Sequence, residues 1–430
     1  MRLGDIQPGD TIVALSSGRP PAAVAIVRTS GPLAHVVGDR VAGSLPAARF
    51  AALRTLHDPR NGQPIDSALV LRFDAPQSAT GENIVEYQCH GGRAVVAAVI
   101  DALTSCGLRL AEPGEFTRRS LSNGRIDLTE AEGLADLLEA ETETQRRAAL
   151  ALASGGLSRV IEQWQGRVLA LSAQAEAAID YVGDEDETAT DTARLTAQAQ
   201  ALADELDEWL ARPRAEPLKQ GIRVVIAGPP NAGKSSLINS LAGTERAIVT
   251  DIAGTTRDTI EVPLAIDGMP FTLVDTAGLR DSDDLVERLG VERAQGEAGL
   301  ADILLWLGHP DDCPPHPRAI LIRAKADLAN TGDAPGLPVS AHTGAGMSTL
   351  IATLRDTAAK LLPAEGSLPL NERQAEAIAQ ASTFLRSDLA DILLLAETLR
   401  SARLAFDRLT GRAGVEEAID ALFSRFCLGK

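Results

Sequence analysis

Cysteine, aromatic residues and net basic charge are all scarce in this chain of 430 residues. The four cysteines, Cys89, Cys106, Cys313 and Cys427, lie far apart with no C-x-x-C pair and no His/Cys cluster. That spacing argues against a disulfide framework or a zinc site and suits a reducing cytoplasm. Aromatics make up 3% of the residues. No apolar run reaches the roughly 18 to 20 residues that span a bilayer. Residues 1–10 lack a basic segment followed by an apolar one, so neither a membrane segment nor a signal peptide is expected. Lys and Arg number 41 against 59 Asp and Glu, a formal charge of −18 spread along the chain. A broad nucleic-acid footprint, and DNA binding with it, is therefore not expected. What remains is a globular composition, 45% hydrophobic and 23% charged, long enough for about three domains.

Four stretches differ in pattern. In residues 1–120, short apolar runs at Thr11–Leu15, Ala23–Val27, Ala68–Phe73 and Ile84–Gln88 read as strands between Pro- and Gly-bearing loops, with one helix over Gly92–Cys106. From Thr129 the period changes. Leu157, Val160, Ile161, Trp164, Val168 and Leu171 recur at three- and four-residue steps, an amphipathic helical segment that runs with interruptions to about Leu210. Pro213 and Pro217 punctuate the chain, and strands then alternate with helical stretches: Ile222–Ile226, Phe271–Val274, Ile303–Trp306 and Ala319–Ile322. Alternation of this kind predicts βαβ units around a parallel sheet. Helical spacing returns after Asn371, with Ile378, Phe384, Leu385, Leu389 and Ile392 on one stripe and Ile419, Leu422, Phe423 and Phe426 on another. The simplest geometry is an α/β domain inserted into a helical one.

Gly228-Pro-Pro-Asn-Ala-Gly-Lys-Ser235 matches G-x-x-x-x-G-K-[ST], directly after a predicted strand and ahead of a helical stretch that opens with Ser236. Backbone amides around Asn231, Ala232 and Gly233 would wrap phosphates at the helix N-terminus, Lys234 would neutralise them, and Ser235 would bind Mg²⁺. Asp275-Thr-Ala-Gly278 also ends an apolar strand, where a magnesium-side carboxylate and γ-phosphate sensor belong. Its members Thr276 and Ala277 complete the motif. Between the two lies Gly254-Thr-Thr-Arg-Asp258, whose Thr256 is positioned to complete the magnesium shell. One such peptide could be a solvated turn; the ordered triple on an α/β frame predicts a GTPase-type site. Lys325-Ala-Asp327 and Ser340-Ala341 supply base-reading positions, with Asp327 accepting hydrogen bonds from guanine and Lys325 covering the ring. GTPases normally carry Asn-Lys-x-Asp, yet residue 324 is alanine. GTP preference with reduced affinity is expected, since Asp327 still penalises adenine; equal competition by ATP would refute it.

The segment after Gly278 lacks the usual glutamine and continues as Leu279-Arg280 and an acidic run to Arg288. Together with Asn231 and residues 250–256, this resembles potassium-activated GTPases of the MnmE (TrmE) family of tRNA-modification proteins. The resemblance covers the chain. Ala25-Ile-Val-Arg-Thr-Ser-Gly31, Thr80-Gly-Glu-Asn-Ile-Val-Glu86, Cys89-His-Gly-Gly92 and Pro113-Gly-Glu-Phe-Thr117 look like the family's folate-binding domain, Asn123–Glu132 continues the match, and Phe426-Cys-Leu-Gly-Lys430 is similar to its terminal motif.

The resemblance implies an α/β and α+β multidomain chain: an N-terminal α+β folate-binding and dimerisation domain at 1–120, a discontinuous helical domain at 121–217 and 366–430, and an inserted Ras-like P-loop GTPase domain at 218–365. Its potassium ligands fall on Asn231, Thr250, Ile252 and Thr255, within a loop that includes Asp251 and Ala253, and its water-orienting glutamate falls on Glu287. Without the resemblance Glu287 would read as one helix charge among several. The folate site (5-formyltetrahydrofolate or a related tetrahydrofolate) maps onto Arg28, Glu86, Arg125 and Lys430. Arg125 stands where lysine is common, and Ser17–Ala22 departs from a Gly-Arg-Gly-Gly-like turn. Cys427, beside basic Lys430, is implicated in the modification chemistry and not in hydrolysis; the other cysteines read as small buried hydrophobes. The implied activity is GTP hydrolysis as a conformational switch. It licenses addition of an aminomethyl or carboxymethylaminomethyl group at carbon 5 of the wobble uridine of certain tRNAs. A homodimer and an MnmG-type flavoprotein partner, in a heterotetramer, are implied, with tRNA held mainly by the partner. Two other classes stay open. An RNA-assembly or signalling GTPase switch would want a basic module such as a KH domain, which is not found, and a degenerate scaffold would not want Lys234, Ser235, Thr256, Asp275 and Glu287 intact.

Overall fold

The computed structural model describes residues 11–180, 185–244, 246–247, 260–275, 299–328, 335–364, 366–387, 391–413, 416–424, 426 and 429. The chain divides into two compact units, residues 1–135 with 410–430, and residues 136–409.

In the first unit, strands β1 (Ile12–Leu15), β2 (Val24–Ser30), β3 (Ala51–His57), β4 (Pro64–Phe73), β5 (Ile84–His90) and β6 (Arg109–Leu110) form one sheet in the order β3-β4-β5-β2-β1-β6. All neighbours are antiparallel except β1 and β6. Side chains alternate faces along a strand, and β2 and β5 use this fully. Ala25, Val27, Val85, Tyr87 and Cys89 are buried in the core beneath helices α1 (Ala34–Ala42) and α2 (Arg93–Ser105). Arg28 and Glu86 point to the other face, in register with each other. There Ile12, Ala14, Ala111 and Phe116 form a small separate core, Phe116 coming from α3 (Glu115–Ser122). Leu128, Ala131 and Ala135 of α4 (Leu128–Glu139) pack with Leu422, Phe423 and Phe426.

The second unit holds a helical core and a sheet. Helices α5 (Glu143–Ala153), α6 (Gly156–Asp180) and α7 (Glu185–Leu210) precede the short α8 (Glu216–Gln220). The predicted stripe on α6 is the buried one: Leu157, Ile161, Trp164, Val168 and Leu171 join Leu195, Leu202 and Leu206 and, from the chain's other end, Ile378, Leu385, Leu399 and Phe406. Asn371 and Gln374 form a capping box that starts the returning helix Glu372–Leu385. The stripe expected to run from Ile378 to Ile392 is divided, since a second helix begins at Ile392 and extends to Thr410; Leu389 lies outside the described residues.

The second sheet runs β13-β12-β11-β7-β10-β9-β8, with β7 Ile222–Ala227, β8 Arg246–Ala247, β9 Ile260–Ile266, β10 Met269–Asp275, β11 Ile303–Trp306, β12 Ala319–Arg323 and β13 Leu337–Pro338. β7, β10, β11, β12 and β13 are parallel; β8 and β9 complete an antiparallel edge. After Arg223 the strand β7 is apolar from Val224 to Ala227, which follows from burial on both faces. Ile222, Val224 and Ile226 face the core that includes α9 (Lys234–Thr244) and α10 (Met347–Ala358), while Val225 and Ala227 pack with Val274, Ala301 and Leu304. Because β7 has β10 on one side and β11 on the other, the strand order reverses direction there. The crevice outside the carboxyl end of β7 is thus the favoured ligand position.

Candidate functional sites on the two sheets

The expected phosphate loop, Gly228–Ser235, leaves β7 at that crevice. Gly228 and Gly233 have φ of 151° and 100°, so the loop uses backbone conformations that side chains disfavour. A Cβ on Gly228 would also lie 3.1 Å from Leu307 backbone. Lys234, 7% exposed, starts α9 and donates from Nζ to the carbonyls of Gly228 and Pro229, both at 2.9 Å. Its ammonium is thus held at the loop's mouth where a phosphate would take over those bonds. Ser235 Oγ donates to Asp275 Oδ2 at 2.9 Å. Asp275, 4% exposed, is the last residue of β10 and lies in register with Ile226 of β7. A hydroxyl and a carboxylate in contact fit a magnesium site, which prefers hard oxygens. Among the described residues no group of three His, Cys, Asp or Glu side chains could hold a metal, so any metal there would need other oxygen donors.

The loops expected to read the base stand at the carboxyl ends of β12 and β13. Lys325, at φ 57°, reaches across so that its Nζ donates to the carbonyl of Asn231 at 2.8 Å. Asn231 is itself left-handed at φ 58°. The buried Ser340 hydroxyl, beside exposed Asp327, holds that carboxyl below its ordinary range, so Asp327 stays ionised and accepting at neutral pH. Ser340 Oγ also accepts from Thr343 N at 3.1 Å, fixing the loop that carries Ala341.

On the first sheet Arg28 Nε donates to Glu86 Oε1 at 2.8 Å, and its Nη2 lies 2.7 Å from the same oxygen. The guanidinium stands 5.7 Å from the Phe116 ring centre. Two residues along β2, Ser30 bonds Thr80 at 2.6 Å and Glu82 at 2.7 Å. A Cβ placed on Gly81 would meet Arg125 Cγ at 3.2 Å, so Arg125 packs on the same loop. At the chain's end, a Cβ on Gly429 would lie 2.0 Å from the Leu15 carbonyl, and only glycine can dock there.

Family models place both halves. The TrmE N-terminus model, described as a GTP-binding protein, matches residues 11–125, and the MnmE helical domain model matches residues 128–427. A "tRNA modification GTPase MnmE" of Erythrobacter litoralis is 52% identical over 427 residues, covering 98% of this chain and 100% of that one. The chain belongs to the MnmE family. A relative of the same description from Rhizorhabdus wittichii is 53% identical over 429 residues, covering 98% of this chain and 97% of its own. Among solved structures, the G domain of the T. maritima FeoB iron transporter is 24% identical, covers 32% of this chain and 98% of that one, and has a TM-score of 0.25.

In this MnmE-family chain the structure brings Asn231, Ala232, Gly233, Lys234, Ser235, Ser236, Asp275, Lys325, Asp327, Ser340 and Ala341 to the carboxyl end of the second sheet, on the last residue of β10, the start of α9 and the loops after β7, β12 and β13. It pairs Arg28 with Glu86 on the first sheet. Thr250, Asp251, Ile252, Ala253, Gly254, Thr255, Thr256, Thr276, Ala277, Gly278, Glu287, Cys427 and Lys430 lie outside the described residues.

The charged network beside Arg28 and Glu86 has no signature in the sequence. Glu115 accepts from Arg109 Nη1 at 2.8 Å, from Arg109 Nη2, from Arg119 Nη2 at 3.0 Å and from the Glu112 amide at 2.9 Å; Arg119 also pairs with Glu82 at 2.9 Å. Burial alone would raise the Glu115 pKa, but Arg109, the Glu112 amide and Arg119 outweigh it and hold the carboxyl below its ordinary 4.5. A lowered folded-state pKa contributes stability in full above the unfolded value and loses it as pH falls through the folded one. Glu115→Ala, which leaves two arginines short of a partner, should cost about 3 kcal/mol at pH 7. It should also flatten the acid limb of urea unfolding measured across pH.

Ala324 has a structural counterpart to its sequence departure. A Cβ on Gly233 would lie 3.9 Å from both Ala324 Cβ and Lys325 Cε, so the alanine methyl faces the phosphate loop where an amide would reach it. Ala324→Asn should tighten GTP binding about fivefold, the net worth of about one hydrogen bond, in a calorimetric titration. An unchanged affinity would mean the Lys325–Asn231 bond already supplies that brace.

Proposed function

We propose that this chain is a potassium-activated GTPase that works with an MnmG-type flavoprotein to add an aminomethyl or carboxymethylaminomethyl group at carbon 5 of the wobble uridine of certain tRNAs. The observation that carries the nucleotide half is the convergence of Lys234, the Ser235–Asp275 pair and the Lys325–Asn231 bond at the carboxyl ends of parallel strands.

On GTP binding, Lys234 exchanges its two carbonyl partners for β- and γ-phosphate oxygens, and the loop amides at the start of α9 meet the remaining charge. Ser235 and Thr256 would hold Mg²⁺, with Asp275 at their side. Asn231, Thr250, Ile252 and Thr255 would hold K⁺ against the phosphates, where its charge takes the place of an arginine finger. Glu287 orients the attacking water. Asp327 accepts from the guanine edge and Lys325 covers the ring.

On the other sheet, the Glu86 carboxylate suits the amidine-like edge of a pterin in a bidentate pair, while Arg28, Arg125 and Lys430 suit an anionic glutamyl tail. The Arg28–Glu86 ion pair keeps both groups aligned until such a ligand displaces it. The close approach of Gly429 to the Leu15 carbonyl of β1 supports a part for the Phe426–Lys430 motif, and so for Cys427, in the modification step. Phe50, Leu53 and Leu69, at 69%, 66% and 43% exposure, with Leu53 and Leu69 opposite each other on β3 and β4, support self-association through the first unit. The charge of −18 supports tRNA contacts made chiefly by the partner.

Glu287→Ala should lower GTP turnover about 100-fold while GTP affinity stays within about twofold, as loss of a water-orienting group does. In the reconstituted system tRNA modification should fall with it. Unchanged turnover refutes the assignment.

A further inference from the structure

The first turn of α5 meets the nucleotide-sheet region at two points, through α8 just ahead of β7 and beside the tip of a hairpin. Gln145 closes the capping box with Thr142. Its Oε1 accepts from Glu141 N and Thr142 N, each at 2.9 Å, and its Nε2 donates to the carbonyls of Leu218 at 3.0 Å and Lys219 at 3.4 Å. Lys219 is held again by Asp136 at 2.7 Å. These carbonyls lie just ahead of β7, the strand that runs into the phosphate loop.

The second point is the tip of the β9–β10 hairpin. Asp267 and Gly268, at φ 48° and 79°, make a tight turn, and a Cβ on Gly268 would lie 3.9 Å from Glu143 Cβ. The opposite end of β10 is Asp275, bonded to Ser235. The strand between spans about 20 Å at the usual rise per residue. It is stiffened by an unbroken antiparallel ladder with β9 from Met269–Ile266 to Asp275–Ile260. A cleft of about 690 Å³ beside the contact, lined by Arg147, Ala151, Met269 and Leu362 among others, gives the turn room to shift.

We propose that the β9–β10 hairpin is the arm that carries the nucleotide state from Asp275 to α5, with the Gln145 latch as its hinge. The inference rests on the GTP-site assignment above and goes beyond it by naming the path. A displacement at the magnesium side of β10 moves the Asp267–Gly268 turn against Glu143, and α5 passes it to α6, which begins three residues after α5 ends.

The test is a reversible lock. A Cβ–Cβ distance of 3.9 Å lies inside the range of about 3.5–4.5 Å that a disulfide needs, so Glu143→Cys with Gly268→Cys in the full chain joins turn to helix on oxidation. Hydrogen exchange of α5 and α6 peptides is compared between GDP and a non-hydrolysable GTP analogue. Wild-type and reduced double variant should show a nucleotide-dependent difference, and the oxidised form should lose at least about 80% of it while still binding both nucleotides. A difference that persists with the disulfide formed, or none in the wild type despite binding, overturns the proposal. Failure to bind GTP at all would instead sink the nucleotide-site assignment. If the reduced double variant does not fold, Gln145→Ala serves: loss of the latch should at least halve the difference, and an unaltered difference overturns the hinge.

Discussion

Lys234→Ala should abolish measurable GTP hydrolysis, a loss of about 1000-fold or more, and weaken GTP binding with it. Lys234 is almost fully buried, yet its ammonium is bound to the carbonyls of its own loop. A buried ammonium is costly unless hydrogen-bonded, and those carbonyls cover that cost in the absence of a phosphate. The alanine variant removes the one described cation that begins α9 inside the loop, leaving the amides to meet the phosphate charge alone. Because Gly228 and Gly233 set the loop's backbone independently of this side chain, the fold should survive. The decisive comparison is turnover and nucleotide affinity at unchanged thermal midpoint. Retained hydrolysis would remove the loop from the mechanism.

The second large effect concerns the helical core. Trp164 is 1% exposed, stands edge-on to Trp209 with ring centres 5.4 Å apart and 5.9 Å from Phe406, and donates from Nε1 to Glu205 at 2.8 Å. Trp164→Ala should cost about 4 kcal/mol, the transfer term plus a cavity that neighbouring rings cannot close. Trp164→Phe should cost less than half as much, about 1.5 kcal/mol, since most contacts stay and Glu205 keeps Arg167. Urea denaturation read by far-UV circular dichroism separates the two. Equal losses would show that the indole hydrogen bond, not packing, holds this core.

Local signals were the legible ones. The run Ile222–Ile226 ahead of a glycine-rich loop announced a buried parallel strand, and the α6 stripe announced its own buried face. Elements that depend on distant partners were not legible. β3, Ala-Ala-Leu-Arg-Thr-Leu-His, has few strand-forming residues and exists because β4 pairs with it along the sheet edge. β9 contains Pro263, which demotes a strand in sequence, yet it pairs with Thr272 across the hairpin. The break between Leu385 and Ile392 was hidden because the apolar spacing carries over it.

The same division holds at the sites. The motif residues stood out in the sequence, but not that Ser235 meets Asp275 40 positions away, or that Arg28 meets Glu86 58 positions away. Nor could spacing find the Glu115 network, which gathers arginines from β6 and α3 around one buried carboxylate. The family resemblance supplied roles for Glu287 and for residues 250–256 that periodicity could not.

The most direct test of the central claim is GTP turnover by the full chain in potassium against sodium at equal ionic strength, for the wild type and for Asn231→Ala. Turnover should rise at least about tenfold in potassium, the scale of one added charge at the phosphates, and Asn231→Ala should erase that difference while GTP still binds. Equal turnover of the wild type in the two salts would contradict it.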